Sequence, residues 1–259
     1  MHINWKKTLI ILADSVLAVY LVLAITAFNH PDEVSDVCTE VNIHIAEGAV
    51  KGFLNADEVK GQLKRARLYP LGDPISKVNV RKIEEALNQN PFIESAQCYK
   101  TQTGHVHITI SQRLPVIRIK ADNGDDYYVD AGGNIMPNTR FVSNLVIATG
   151  HISRQYAQKV LTGIGRYLAN QPLWGNQIEQ INVLADGSIE VVPRVGEHIV
   201  YLGQPDHLQH KFTRLEKFYK YGLSKAGWNK YSYINLEFNN QIICKKVKNR
   251  NVYTAQSEN

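Results

Sequence analysis

Between Val41 and Gln112 the hydrophobic periodicity changes from two to about 3.6 and back, and this alternation restricts the possible folds more than any other feature. VNIHI, Val41 to Ile45, alternates apolar and polar residues as a half-buried strand does, and Gly48 and Gly52 interrupt it. Asn55 is a good N-cap for the helical run ADEVKGQLKRARL. Asp57 and Glu58 sit in its first turn and Lys64, Arg65 and Arg67 come late, complementing the helix dipole. A second helix is predicted over Val80 to Asn88, with Ile83 and Leu87 on one face, and Asn90-Pro91 ends it. Phe92 to Lys100 and His105 to Gln112 read as a hairpin around a Thr-Gly turn. Strand, helix, helix, strand, strand can bury both helices on one face of a small sheet.

Before this unit lies LIILADSVLAVYLVLAITAF, Leu9 to Phe28, apolar over a length that spans ~30 Å of hydrocarbon as helix. It is predicted to be a single transmembrane helix after a cytoplasmic tail, 1–8, and before a spacer, 29–37. Lys6 and Lys7 precede it and Asp32, Glu33 and Asp36 follow, so the N-terminus is expected in the cytoplasm and the bulk of the chain outside. Trp5 suits the membrane interface. Asp14 lies about a turn and a half inside the cytoplasmic end, where it can snorkel, be protonated or meet a partner helix. A cleaved signal peptide is the rival reading, but its apolar core runs ~7–15 residues and closes on an A-x-A-like site.

Beyond Arg113 the pattern is β-rich. VIRIKA, YYVDAGGNIMP and LVIATG read as successive strands or hairpins. A helix is predicted from Ser153 to Leu168, with Tyr156, Val160, Ile164 and Tyr167 or Leu168 on one face. Asp186-Gly187 marks another hairpin, and HIVYLG is a further strand. Pro205 and Asp206 open a helix whose stripe Leu208, Phe212, Leu215, Tyr219 ends near Gly222. YSYINLEF and QIICKKV, joined by Asn239-Asn240, are the last strands, and 248–259 is expected to be a flexible tail.

The chemistry these residues offer is sparse. With 44% hydrophobic and 20% charged residues the composition is globular. A net charge of +5 spread along the chain does not signal nucleic acid. Cys38, Cys98 and Cys244 form no CxxC pair, and Cys98 shares the core-facing phase of its strand with Ala96. His105 and His107, and likewise His207 and His210, are pairs without a third ligand, so no metal is expected. Asp122 to Asp126 lacks calcium-loop spacing and reads as a turn. The glycines of YYVDAGGNIMP follow a strand but open no helix, so Ala131 to Asn134 is a hairpin turn, not a phosphate cradle. No G-x-S-x-G, H-E-x-x-H or S-x-x-K motif is present, and neither an enzyme activity nor a cofactor is expected. Lys211, Arg214, Lys217 and Lys220 read as the solvated side of a helix or a contact for an acidic partner, with Tyr219, Tyr221, Trp228, Tyr231 and Tyr233 crowding the same region.

The strand-helix-helix-strand-strand unit resembles a POTRA module. In modules attached to bacterial division proteins, a proline, two apolar residues, two spacers, an alanine, one spacer and an apolar residue follow the second helix. Pro91, Phe92, Ile93, Ala96 and Cys98 fill that phrase, and Arg113, Pro115 and Val116 match the end of the last strand. Valine-aspartate, glycine and an apolar pair just beyond the module match as well. Over nearly its whole length the chain resembles the FtsQ/DivIB family of cell-division proteins.

The resemblance implies an α+β protein: a single transmembrane helix (9–28), a POTRA domain (38–113) and a larger β-rich domain (114–247) with an antiparallel sheet and two helices. It implies a non-enzymatic, single-pass scaffold of the cytoplasmic (inner) membrane, facing the periplasm and concentrated at the division septum. Such a scaffold links early and late division proteins and binds coiled-coil partners of the FtsB and FtsL type through its C-terminal sheet edge. The family's Asp-Leu-Arg-aromatic phrase falls on Asn235, Leu236, Glu237 and Phe238, so the arginine contact is missing and Lys245 or Lys246 is its candidate replacement. The expected partner-binding residues are Glu237, Phe238, Ile242, Ile243, Lys245 and Lys246, with Phe238 and Ile243 as apolar anchors and Leu236 in the core. The alternative is a POTRA-type chaperone module for outer-membrane protein assembly or secretion, and a third reading is a secreted enzyme with a cleaved N-terminus.

Overall fold

The structure, a computed structural model, describes residues 5–28, 37–46, 54–139 and 145–247. The spacer, apart from Val37, the two glycines expected to end the first strand, and the tail 248–259 lie outside the described residues. The chain begins with one helix, α1 (Trp5–Phe28). Among the described residues no helix is long and apolar enough to cross a membrane.

The first globular unit contains β1 (Glu40–Ile45), α2 (Ala56–Arg65), α3 (Val80–Asn88), β2 (Ile93–Lys100) and β3 (His105–Gln112). Its sheet order is β1-β3-β2, with β1 parallel to β3 and β2 antiparallel to it. The two helices reach one face of that sheet because their apolar residues share one stripe. Val59 and Leu63 of α2 and Ile83 and Leu87 of α3 are buried against Val106, Ile108 and Ile110. Asn55 caps α2 as expected: Glu58 N donates to its Oδ1 at 2.8 Å, and Glu58 Oε2 accepts from Asn55 N at 3.2 Å. The helix stops earlier than the sequence suggested, because Arg67 turns left-handed at φ 56°. Cys98 is buried as expected, and burial, aided by nearby Glu84, pushes its thiol up to about 12.

The second unit is a nine-stranded sheet of order β12-β11-β10-β9-β8-β7-β4-β5-β6. Its strands are β4 (Pro115–Ala121), β5 (Asp126–Asp130), β6 (Ile135–Pro137), β7 (Ile147–Gly150), β8 (Ile178–Val183), β9 (Ile189–Pro193), β10 (Ile199–Gly203), β11 (Tyr231–Asn235) and β12 (Ile243–Lys246). The expected antiparallel sheet is in fact mixed. β7 pairs parallel to both β4 and β8, and β10 pairs parallel to β11; helices carry the chain back to its starting side between β7 and β8 and between β10 and β11, whereas β5 and β6 lie between β4 and β7. α4 (Arg154–Tyr156) continues through a π-turn, Ala157–Leu161, into α5 (Thr162–Ala169), and a short α6 (Pro172–Gln177) that the sequence did not suggest follows. α7 (Leu208–Phe218) likewise runs through a π-turn, Tyr219–Leu223, into α8 (Ser224–Ala226). The helical path therefore ends at Gly227, φ 95°, and not at Gly222. Gly222 serves another purpose: a Cβ there would meet the Phe218 ring at 2.9 Å.

All these helices pack on one face of the sheet. Leu161, Ile164, Leu168, Phe212 and Leu215 are buried there against Ile119, Ile181, Val191, Val200 and Ile234. The hairpin turn of YYVDAGGNIMP forms as expected, with Gly133 at φ 83°. Its stabiliser is Asp130, which the sequence reading did not single out: its Oδ1 accepts from Gly132 N at 2.9 Å and Asn134 N at 2.7 Å.

Candidate partner-binding edge

β12 lies at the rim of the nine-stranded sheet, where among the described residues it pairs with β11 alone. The pairing is antiparallel, with Ile234 opposite Cys244 and Asn235 opposite Ile243. One side of the strand therefore has no strand neighbour among the described residues, and its N–H and C=O groups can pair with an added strand. The joining loop, 236–242, is longer than the two-residue Asn239-Asn240 turn expected from sequence. Leu236 N donates to Tyr201 O at 2.9 Å, and Leu236 is fully buried, as anticipated.

The candidate contact residues divide by the alternation of the strand. Phe238 and Ile243 are 46% and 47% exposed, large apolar side chains left facing solvent on adjoining parts of the rim. Glu237, Lys245 and Lys246 are exposed beside them. Ile242, just before β12, is half-buried against the core. Cys244, in the same phase, packs inward too, and burial raises its thiol pKa.

Two of the four cations along α7 and its π-turn, Lys211 and Arg214, are not on a solvated face. Lys211 is 4% exposed, its Nζ donating to Asp206 Oδ1 at 2.6 Å and Gln204 O at 2.7 Å. Arg214 reaches across to the hairpin loop, donating from Nη1 to Leu236 O at 3.2 Å and from Nη2 to Gln241 O at 2.7 Å. Periodicity gave the side of the helix correctly, but long cationic stems lie along the surface and return their heads to carbonyls that no local pattern shows. Only Lys217 and Lys220 remain exposed. Between α7 and the loop, Arg214, Phe218, Tyr221, Asn240 and Ile242 line an open cleft of about 540 Å³.

The neighbouring strands are tied together on the open face of the sheet. Tyr233 donates from its hydroxyl to Glu190 Oε1 at 3.0 Å, and Tyr201 stacks on Tyr233 with ring centroids 6.3 Å apart. Burial and the Glu190 carboxylate raise the Tyr233 pKa, so the phenol stays a donor. The rim is thus backed by rigid structure.

Other candidate sites separate. His105 and His107 face away from the core, His107 stacking on Tyr99 at 4.9 Å and His105 lying 3.8 Å from Glu40. His207 and His210 are exposed at the start of α7, where His207 takes a left-handed φ of 47°. Among the described residues no three His, Cys, Asp or Glu side chains converge as a metal site would need. The first unit's β2 edge is closed: Asn88 Oδ1 accepts from Ala96 N at 2.9 Å and Glu84 Oε1 from Cys98 N at 2.7 Å. Two residues of α3 thereby occupy the donors that an incoming strand would need.

Fold and rim together define a class: a POTRA-like module joined to a helix-backed mixed sheet that ends on an exposed edge strand. The family profile described as FtsQ/DivIB, C-terminal related matches residues 114–245, and that of a POTRA-like domain matches residues 36–111. The first match alone spans just over half of the chain, which therefore belongs to the FtsQ/DivIB family. No curated protein matches the chain. Membership places the protein among those of bacterial cell division, a family that is in general non-enzymatic.

Proposed function

We propose that the protein is a membrane-anchored, non-enzymatic scaffold of the divisome that binds coiled-coil proteins of the FtsB and FtsL type along β12. The observation that carries this reading is the free rim itself: an unpaired strand side flanked by two exposed apolar anchors, Phe238 and Ile243. Backbone pairing along Ile243–Lys246 supplies affinity, and the anchors with Lys245 and Lys246 supply selectivity. α1 serves as the anchor, its N-terminus in the cytoplasm and both globular units outside. Supporting this, α1 exposes the apolar side chains Leu12, Val16, Leu17, Val19, Leu21 and Leu23. The closed β2 edge gives the chaperone alternative no open strand at that position.

The test is copurification of the detergent-extracted full chain with a coiled-coil partner of the FtsB or FtsL type. Phe238→Ala, or proline at Ile243, is expected to reduce recovery at least about ten-fold, the equivalent of roughly 1.4 kcal/mol. Undiminished recovery with both variants, each still folded, overturns the assignment of the rim.

A further inference from the structure

The open face of the nine-stranded sheet bears mostly polar side chains, yet Tyr128 on β5 and Met136 on β6 are completely buried on it. They are buried by the first unit. Phe92, just before β2, packs against both together with Leu145. Beside this apolar contact, Arg113 leaves the end of β3, with its backbone N donating to Phe92 O at 2.9 Å. Its guanidinium donates from Nη1 to Asp130 Oδ2 at 2.6 Å and from Nη2 to Ile93 O at 3.1 Å. The two charged side chains are only 19% and 9% exposed. Asp130 is pre-aimed, since Asn134 Nδ2 also donates to Oδ2 at 2.9 Å and the turn amides hold Oδ1.

Only Arg113 and Leu114 connect β3 to β4, and so short a connection still leaves two soft dihedrals per residue about which the units can turn. Contacts between domains of one chain are ordinarily small enough to permit motion. Here a charge-assisted bond at the pivot and a buried aromatic plate beside it oppose that motion. The bond is also incompletely satisfied: Arg113 Nε is buried without a partner. We infer that Arg113 and Asp130 form an interdomain latch that holds the POTRA-like unit in one orientation on the sheet, with Phe92, Tyr128 and Met136 as its seat. The latch is a release point as well as a brace, because freeing one carboxylate from one guanidinium unlocks the pivot. This inference is independent of the partner proposed for β12.

Arg113 makes the latch directly testable, since trypsin must draw an arginine side chain into its specificity pocket to cut after it. In the full chain in detergent micelles, cleavage between Arg113 and Leu114 is followed by mass spectrometry, with cleavage after exposed Lys217 as the internal reference. Asp130→Asn keeps an acceptor for the turn amides but removes the charge, and Phe92→Ala removes the seat without touching the ion pair. Each is expected to raise cleavage after Arg113 about ten-fold or more through a larger open population. Hydrogen-exchange protection of β8 and β9 should meanwhile stay unchanged. The inference is overturned if neither variant accelerates that cut, or if it accelerates only in step with lost protection of β8 and β9.

Discussion

Arg214→Ala is the most informative perturbation of the rim, because Arg214 touches the hairpin without belonging to it. Its guanidinium makes two hydrogen bonds to loop carbonyls, Leu236 O at 3.2 Å and Gln241 O at 2.7 Å. Bonds from charged donors contribute roughly 1.5–3 kcal/mol when shielded and less when wet, and the Gln241 end is exposed. About 2 kcal/mol of local stability should therefore be lost, which corresponds to a roughly 30-fold faster opening-limited exchange of the amides between β11 and β12. Hydrogen exchange on the full chain in detergent reads this directly. Amides of β8 and β9, far from the loop, should be unaffected, and partner recovery should fall although no contact residue has changed. Arg214→Lys, which can replace only one of the two bonds, should give an intermediate rate. If protection across β11 and β12 is the same in Arg214→Ala as in the parent, the loop is braced by something else and Arg214 is not a positioning residue.

Other consequences follow from buried groups and tight approaches. His198 is 2% exposed, with Nε2 2.7 Å from the Tyr219 hydroxyl, and burial lowers its pKa. The unfolded chain then takes up a proton near pH 6.5 that the folded one resists, so this contribution is complete above about 6.5 and is lost as pH falls toward the lowered folded value. Urea midpoints measured at about pH 7.5 and 5.5 should fall on acidification more in the parent than in His198→Gln. Asp130 behaves in the same sense at lower pH. Burial alone would raise its pKa, but the bonds from Asn134 and Arg113 outweigh burial and hold the carboxyl below the usual range. Its contribution is thus present above about 3.9 and lost below, so cleavage after Arg113 by an acid-tolerant arginine-specific protease should rise as pH drops through that region. Gly150 has φ 96°, and a Cβ there would sit 2.3 Å from Val183 O, so Gly150→Ala must displace β7 from β8. The dihedral alone costs roughly 1–3 kcal/mol, and thermal melts should show at least that loss.

What could be read along the sequence was local. The Asn55 cap, the stripes of α3 and α7, and the turns at Gly133 and Gly187 depend on residues within a few positions of each other, and each forms where expected. The parallel pairings of β7 with β4 and of β10 with β11 could not be read that way. They are set by where a long connection returns the chain, through α7 and α8 for β10 and β11 and past β5 and β6 for β4 and β7, and period-two alternation looks the same in either direction. The buried ends of Lys211 and Arg214 were hidden for a related reason, since their partners lie on other segments. Asp130 was read only as a residue of the stretch YYVDAGGNIMP, but its bond to Arg113 joins two domains and no spacing reveals it. The edge position of β12 was expected from the family resemblance, which also put Phe238 and Ile243 forward; the sheet order bears out the edge.

Exposure of β12 amides to solvent deuterium, measured on the full chain with and without a saturating coiled-coil partner of the FtsB or FtsL type, tests the central claim most directly. If the partner adds a strand at the rim, protection should appear along Ile243–Lys246 and around Phe238, while β1 and β2 exchange as before. Protection confined to the POTRA-like unit, with β12 exchanging at its free rate, would contradict it.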